Sequence, residues 1–436
     1  MYNGNYIICM SYTAANDINT NNTGISVKNT LVITVDSPDP DNLLCLIAKL
    51  RNVFSAPHFY DHIYIDVVGR PVSFGLACFD PTSKQTRSLT DDAVLEPINF
   101  RLHVKEDPKE ASFHSVEDAK TLLQYKIACV EIFLVQIFGE EKMKCVTFCN
   151  GGIATCAGLS SRIHAYDEFF LIFSKSGEIR VPSLAEYVEY RDKIFSLHPE
   201  ERRRIRTNHC LDGLALVPTK TYSSLVDFES DIASASTVDI LIGGPFTSLV
   251  NLFKTADAPI LNGPKLTVIA MACSLPGDAN LLGDNFNVKT DMNAFKQVTS
   301  VLAAYKAHRP SVFFIPTGVC KAGTNKGGWL AFDSSDIVPV DATMGALVKL
   351  WADIKGGPQP MFDVLITVAP SLIPFKSSHV ILDYSQIPGS HDGDMRCDLT
   401  QVDSSNATPF VVFTNEVLKD GRVTPKDALA LVFGST

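Results

Sequence analysis

Asp36, Asp39 and Asp41 lie in "LVITVDSPDPDNLLCLIAKL", residues 31–50, broken by Pro38 and Pro40 and followed by Asn42. An apolar β-branched run precedes them and an apolar helix-like run follows. A polar turn that caps the following helix is one reading, but a helix start needs only one capping oxygen. Three carboxylates so close in sequence repel one another, and at the end of a buried strand that repulsion is offset by a cation or by protonation. Hard oxygen donors at this density match calcium or magnesium better than zinc, which takes His and Cys. A phosphate loop is disfavoured, because the carboxylates would repel an anion and the stretch contains no glycine.

The elements that must position these acids read as alternating strands and helices. Short apolar runs, "LVITV", "IYIDVV", "KCVTFCN", "FFLIFS", "VDILIGG", "LTVIAMAC", "SVFFIPT" and "PFVVFTNEV", read as strands. Longer amphipathic stretches between them, at 116–137, 183–205, 293–308 and 342–354, read as helices. Strand followed by helix, repeated, predicts an α/β fold with a mostly parallel central sheet and helices on both faces. In such sheets ligands bind outside the carboxyl ends of the strands. The acids after "LVITV" fall at such an end, as do "VVGRP" (67–71), "CNGG" (149–152), "IGGPFT" (242–247) and "MACS" (271–274).

The chain of 436 residues exceeds the usual size of one domain, although α/β folds extend further than most. Residues 1–28 read as a flexible polar leader, rich in Asn and Thr, with neither a secretory signal nor a membrane anchor. Residues 29–436 read as a single α/β domain with insertions near 78–115 and 372–410. At 46% hydrophobic residues the chain has material for a large core. A net charge of −10 argues against nucleic-acid binding, and the basic run "EERRRIR" is interleaved with glutamates as on a solvated helix face. No run of eighteen apolar residues occurs, so no membrane span is expected. The eleven cysteines show no paired spacing, and Cys45, Cys129, Cys145 and Cys273 sit in apolar runs, which points to a reducing, cytoplasmic setting.

With these residues in view, "VDSPDPDNLLCL" resembles the opening motif of the nucleoside hydrolase family, a strand ending in Asp with a second Asp at the head of an apolar helix. "LIGGPFTSLVNLF" resembles the family's Gly-Pro-Leu-Thr-Asn segment, "VIAMAC" its strand ending in Met-Gly-Gly, and "GDNFNVKTDMNAF" its Glu-Phe-Asn segment. "PMFDVLITVA" resembles its His-Asp-Pro-Leu-Ala helix start. The resemblance runs in the right order over about residues 31–370. It implies calcium-dependent hydrolysis of the N-glycosidic bond of a ribonucleoside or related N-riboside by a dimer or tetramer. It further implies that Asp36 activates water, that Asp36, Asp41, Asp363 and the Gly243 carbonyl hold the metal, and that Asn287 binds the ribose.

Departures accompany the resemblance. Pro40 replaces a ribose-binding Asp, leaving Asp39 one position early as a substitute. Asn285 replaces the Glu of Glu-Phe-Asn, Ala272 and Cys273 replace two glycines, and Phe362 replaces a His. They keep open a catalytically silent relative that binds or regulates. A metal phosphohydrolase or sugar-binding protein sharing only the Asp-rich strand end is a further alternative, but the ten histidines are dispersed rather than arranged as ligands. For the leaving group, His164 and Arg70 are the candidates, although a lone His is more often an ordinary structural residue and Arg70 reads equally well as an ion pair or loop brace. Trp329 and Trp351 read as core or interface, and Asp392 and Asp394 as a surface turn.

Overall fold

The strand that carries Asp36 runs from Asn29 to Asp36 and is buried from Leu31 onward. A strand buried on both faces needs covering layers on both sides, and the computed structural model supplies them. The structure describes residues 28–36, 40–55, 60–69, 77–80, 85–88, 102–103, 116–154, 171–173, 179–181, 183–185, 220–274, 286–305, 311–316, 342–355, 363–367, 377–386, 395–402 and 410–413.

In chain order the strands are β1 (Asn29–Asp36), β2 (His62–Gly69), β3 (Ala77–Asp80), β4 (Gln85–Ser88), β5 (Leu102–His103), β6 (Val146–Ile153) and β7 (Ile172–Phe173). They continue with β8 (Ile179–Arg180), β9 (Thr237–Ile242), β10 (Lys265–Met271), β11 (Ser311–Ile315), β12 (Ser377–Gln386), β13 (Met395–Gln401) and β14 (Phe410–Phe413). The helices are α1 (Pro40–Ser55), α2 (Val116–Phe138), α3 (Glu140–Met143), α4 (Glu229–Ala233), α5 (Leu249–Leu252), α6 (Pro259–Asn262), α7 (Phe286–Thr290), α8 (Met292–Ala304) and α9 (Ala342–Lys355).

Among the described residues nine strands form one sheet in the order β13-β12-β14-β11-β10-β9-β1-β2-β6. From β6 to β14 every pairing is parallel, whereas β12 and β13 add an antiparallel hairpin at the far edge. The chain moves outward from β1 through β2 to β6, then returns to lay β9 on the other flank of β1. The order therefore reverses between β1 and β9, and the carboxyl ends of these two strands frame the crevice where doubly wound sheets bind ligands.

Each face of the sheet has its own core. Leu31, Ile33, Val35, Ile63, Ile65 and Val67 pack with residues of α1, α2 and α9. The alternate residues Val32, Tyr64, Ile240 and Ile242 pack with α5, α6 and α8. Period-two alternation thus delivers one strand to two cores. Helix α1 begins with Pro40, whose fixed φ suits a first helical position, and carries Asp41 in its first turn against the positive end of the helix. Helix α8 is capped by Asp291, whose side chain accepts from the Ala294 amide, and it buries Met292, Phe295, Val298 and Leu302 at helical spacing.

The expected α/β architecture is the observed one. "FFLIFS" differs from expectation: its described part is a two-residue strand, β7, paired antiparallel with β8 outside the main sheet. The stretch 78–115 overlaps a small antiparallel sheet of β3, β4 and β5, and the stretch 372–410 holds β12 and β13. Trp351 lies in the core, 5% exposed. The leader through residue 27, most of 183–205, and Arg70, His164, Trp329, Asp392 and Asp394 lie outside the described residues.

Candidate functional site

Asp36 is the last residue of β1 and is fully buried. Its Oδ1 accepts a hydrogen bond from Asn42 Nδ2 at 2.8 Å, so the first turn of α1 folds back onto the end of the strand it follows. Asp41 and Asn42 are buried with it. The neighbouring strand end comes equally close. The Gly243 amide donates to the Thr34 carbonyl at 2.8 Å. A Cβ on Gly244 would stand 2.6 Å from the Asp36 amide nitrogen, an overlap that only glycine avoids.

Asp363 arrives from far along the chain, just ahead of the helical turn at 364–367, and is 5% exposed. A Cβ built on Gly243 would lie 3.1 Å from Asp363 Cγ, 3.2 Å from Asp363 Oδ1 and 3.3 Å from Asn42 Oδ1. Two side-chain oxygens from separate elements thus close on the small space that glycine leaves open. The Asp41 and Asp363 charges also both reach the buried Cys45 thiol on α1, whose pKa burial raises first and these two carboxylates raise further. Asp36, Asp41, Asn42, Gly243 and Asp363 therefore form one neighbourhood.

Asn287, on α7, donates from Nδ2 to the carbonyls of Gly243 (3.0 Å) and Met271 (3.1 Å). Its amide ties together the ends of β9 and β10. Just past Met271, Cys273 holds φ at +70°, a backbone region that favours glycine. A left-handed turn persists there although the side chain is not glycine. Asp39 and Asn285 lie outside the described residues.

A further buried acid sits one layer below. Asp66, midway along β2 and fully buried, accepts a hydrogen bond from the Ser248 hydroxyl at the start of α5. It stands in register with Thr34 on β1 and Cys149 on β6. Burial lifts its pKa to about 7, although the Ser248 and Thr34 hydroxyls pull the other way. Sequence reading does not single out Asp66 or the role of Asn42. A lone acid inside "IYIDVV" is the signal that marks Asp66; nothing local marks the Asn42 contact.

The nearest polar atoms to the Gly243 Cβ position are the Asp363 and Asn42 side-chain oxygens, and oxygen donors are the type that a hard cation takes. Among the described residues no group of three or more His, Cys, Asp or Glu side chains is arranged as a metal-ion site. The donors converging on Gly243 include an amide oxygen, and Asp36 Oδ1 is engaged by Asn42.

No family model matches the sequence, and no curated protein matches it significantly. Solved structures do. The chain is similar to an inosine-guanosine nucleoside hydrolase at 11% identity, over 94% of this chain and 99% of that one, with a TM-score of 0.48. An inosine-uridine preferring nucleoside hydrolase from Bacillus anthracis matches at 10% identity, over 94% and 100% of the two chains, with a TM-score of 0.42. The type III effector protein XopQ, solved in complex with adenosine diphosphate ribose, matches at 9% identity, over 94% of each chain, with a TM-score of 0.43. Among the described residues no helix is long and apolar enough to cross a membrane.

Proposed function

We propose that this chain binds a ribonucleoside or a related N-riboside and hydrolyses its N-glycosidic bond with the help of a bound calcium ion. The observation that carries the reading is the convergence of Asp363, Asn42 and Gly243 beside Asp36, at the point where the strand order reverses. In this reading the carboxylates of Asp36, Asp41 and Asp363 and the carbonyl of Gly243 hold the ion. Gly243 can do so while accepting from Asn287, because a carbonyl oxygen has two lone pairs. A bound cation of this kind polarises a water and the sugar hydroxyls, easing the loss of the water's proton.

Asp36 takes that proton. The Asn42 hydrogen bond to its Oδ1 holds the carboxylate in place for that transfer. As the bond from the sugar to the base breaks, its electron pair leaves with the base, which takes up a proton from solvent; positive charge grows on the ribose, and buried carboxylates stabilise it until the activated water adds. Asn287 Oδ1 accepts from a ribose hydroxyl, and Asp39 and Asn285 supply further sugar contacts in the same reading. Substrate is thereby held in one orientation before the bond breaks. The reading has the chain work in the cytoplasm as a dimer or tetramer of a single α/β domain, on a small molecule rather than on nucleic acid or membrane.

Hydrolysis of a panel of ribonucleosides and ADP-ribose, with calcium and again with a chelator, tests the proposal. Release of base with calcium, lost on chelation and lost in Asp36→Asn, is the expected result. Absence of hydrolysis across the panel with calcium overturns it. Two features favour a second reading, a catalytically silent riboside-binding protein: both Asn287 amide hydrogens are spent on backbone carbonyls, and Pro40 offers no polar side chain. Riboside binding without turnover is its signature.

A further inference from the structure

Cys273, two residues past the end of β10, holds its backbone in the left-handed region at a φ of +70°. Glycine takes such a position without strain, so a cysteine there is kept against a backbone cost. What its side chain meets is a second thiol: Cys273 is in hydrogen-bond contact with Cys397 of β13. The backbone brings the two together. Ser274 and Asp398 form an isolated parallel bridge, in which the Ser274 amide donates to the Cys397 carbonyl at 3.0 Å and the Leu399 amide donates to the Ser274 carbonyl at 2.8 Å. Cys273 and Cys397 each stand immediately before a bridged residue. Segments paired in this way lie about 4.8 Å apart, within the Cα separation of about 4.4–6.8 Å that a disulfide spans. Both side chains are fully buried in the same apolar cluster, and neither is in a disulfide.

We infer that Cys273 and Cys397 are a modification site, a dithiol that a peroxide oxidises to a disulfide, clamping the end of β10 to β13. One thiolate attacks a peroxide oxygen and becomes a sulfenic acid; the second displaces hydroxide from that sulfur, forming the S–S bond. Hydrogen peroxide takes the two electrons and, with the two thiol protons, leaves as two molecules of water. Burial raises the Cys273 pKa and keeps the resting pair unreactive, so oxidation belongs to moments when the bridge opens. That opening is local, because two backbone hydrogen bonds hold the bridge. The bond would join strands that β11, β14 and β12 separate in the sheet order. It would also brace the turn beside Met271, whose carbonyl accepts from Asn287. The inference holds whether or not the chain hydrolyses a riboside.

Peroxide treatment of the full folded chain tests it. Remaining thiols are blocked with N-ethylmaleimide, and a digest made without reductant is read by mass spectrometry. Expected is a peptide pair linked through Cys273 and Cys397 that dithiothreitol separates. Amide exchange at Ser274 and Leu399 should slow at least about tenfold in the oxidised protein. Cys397→Ala should yield no such pair. If circular dichroism shows that variant unfolded, Cys273→Gly, which suits the left-handed backbone, replaces it with the same expectation. Absence of the linked pair from folded wild type overturns the inference, as does a pair that forms only in urea. Unchanged exchange at both amides in the linked protein overturns the clamping of β10 to β13.

Discussion

The carboxylate of Asp363 rests against the Cα of Gly243: a methyl group there would stand 3.1 Å from Asp363 Cγ and 3.2 Å from its Oδ1. Gly243→Ala is therefore expected to push Asp363 aside and to cost about 1–3 kcal/mol in overpacking. A melting temperature lowered by a few degrees, together with calcium affinity reduced about tenfold, is the expected pair of results. If neither quantity moves, Asp363 does not depend on that gap.

Asp36→Asn keeps the size of the side chain and removes its capacity to accept a proton. Turnover of the best riboside found in the panel should fall about 10²–10⁴-fold, the range for loss of a general base, with KM nearly unchanged. A variant with wild-type turnover would mean that water is activated elsewhere.

A ligand that binds only the folded chain stabilises it by about 2.7 kcal/mol when its concentration is a hundredfold above Kd, and on the proposed reading calcium is such a ligand. Asp41→Ala, which removes a carboxylate buried beside Asn42, should abolish that effect. Thermal melts with and without calcium provide the measurement. Wild type should melt higher with the ion and the variant should melt identically; an equal rise in both would show that Asp41 is no ligand.

Asp66 predicts a pH dependence with a definite sign. Its folded pKa, near 7, stands above the value of about 4 for an exposed aspartate, so between these the folded state holds the proton more firmly than the unfolded one. Stability should therefore fall as pH rises from about 4 to about 7, by on the order of 4 kcal/mol, and level off above. Asp66→Asn cannot ionise and should lack this component. Subtracting its urea-unfolding free energies from those of wild type at pH 5 and pH 8 isolates the effect. A difference that stays constant between the two pH values would count against a neutral buried acid.

The parallel strands are legible in the sequence for a physical reason. Buried on both faces, they need apolar side chains at nearly every position, so "LVITV", "IYIDVV" and "SVFFIPT" stand out as predominantly apolar runs. The edge hairpin of β12 and β13 does not stand out, because "SSHVILDYSQ" mixes Ser, His and Asp with apolar residues and Ile381 is exposed. Of the candidate residues, local charge density singles out Asp36 and Asp41, whereas Gly243 and Asp363 are candidates only through the ordered resemblance of whole segments. Asn42 escapes because its contact is directional: an amide that donates to a buried acid looks, in a sequence, like any polar residue at a helix start. Asp66 was available to sequence reading, since an acid in the middle of an apolar strand is costly to bury without a partner.

The position of β1 between β2 and β9 has a consequence during translation. Its first neighbour is synthesised immediately after it, but its second emerges only after many further residues, and Asp363 later still. A nascent chain must therefore carry an apolar strand with one bare hydrogen-bonding flank while the ribosome completes the other half, a state prone to clumping and suited to chaperone capture. Ribosomes that stall before β9 would release products in which that flank of β1 stays bare.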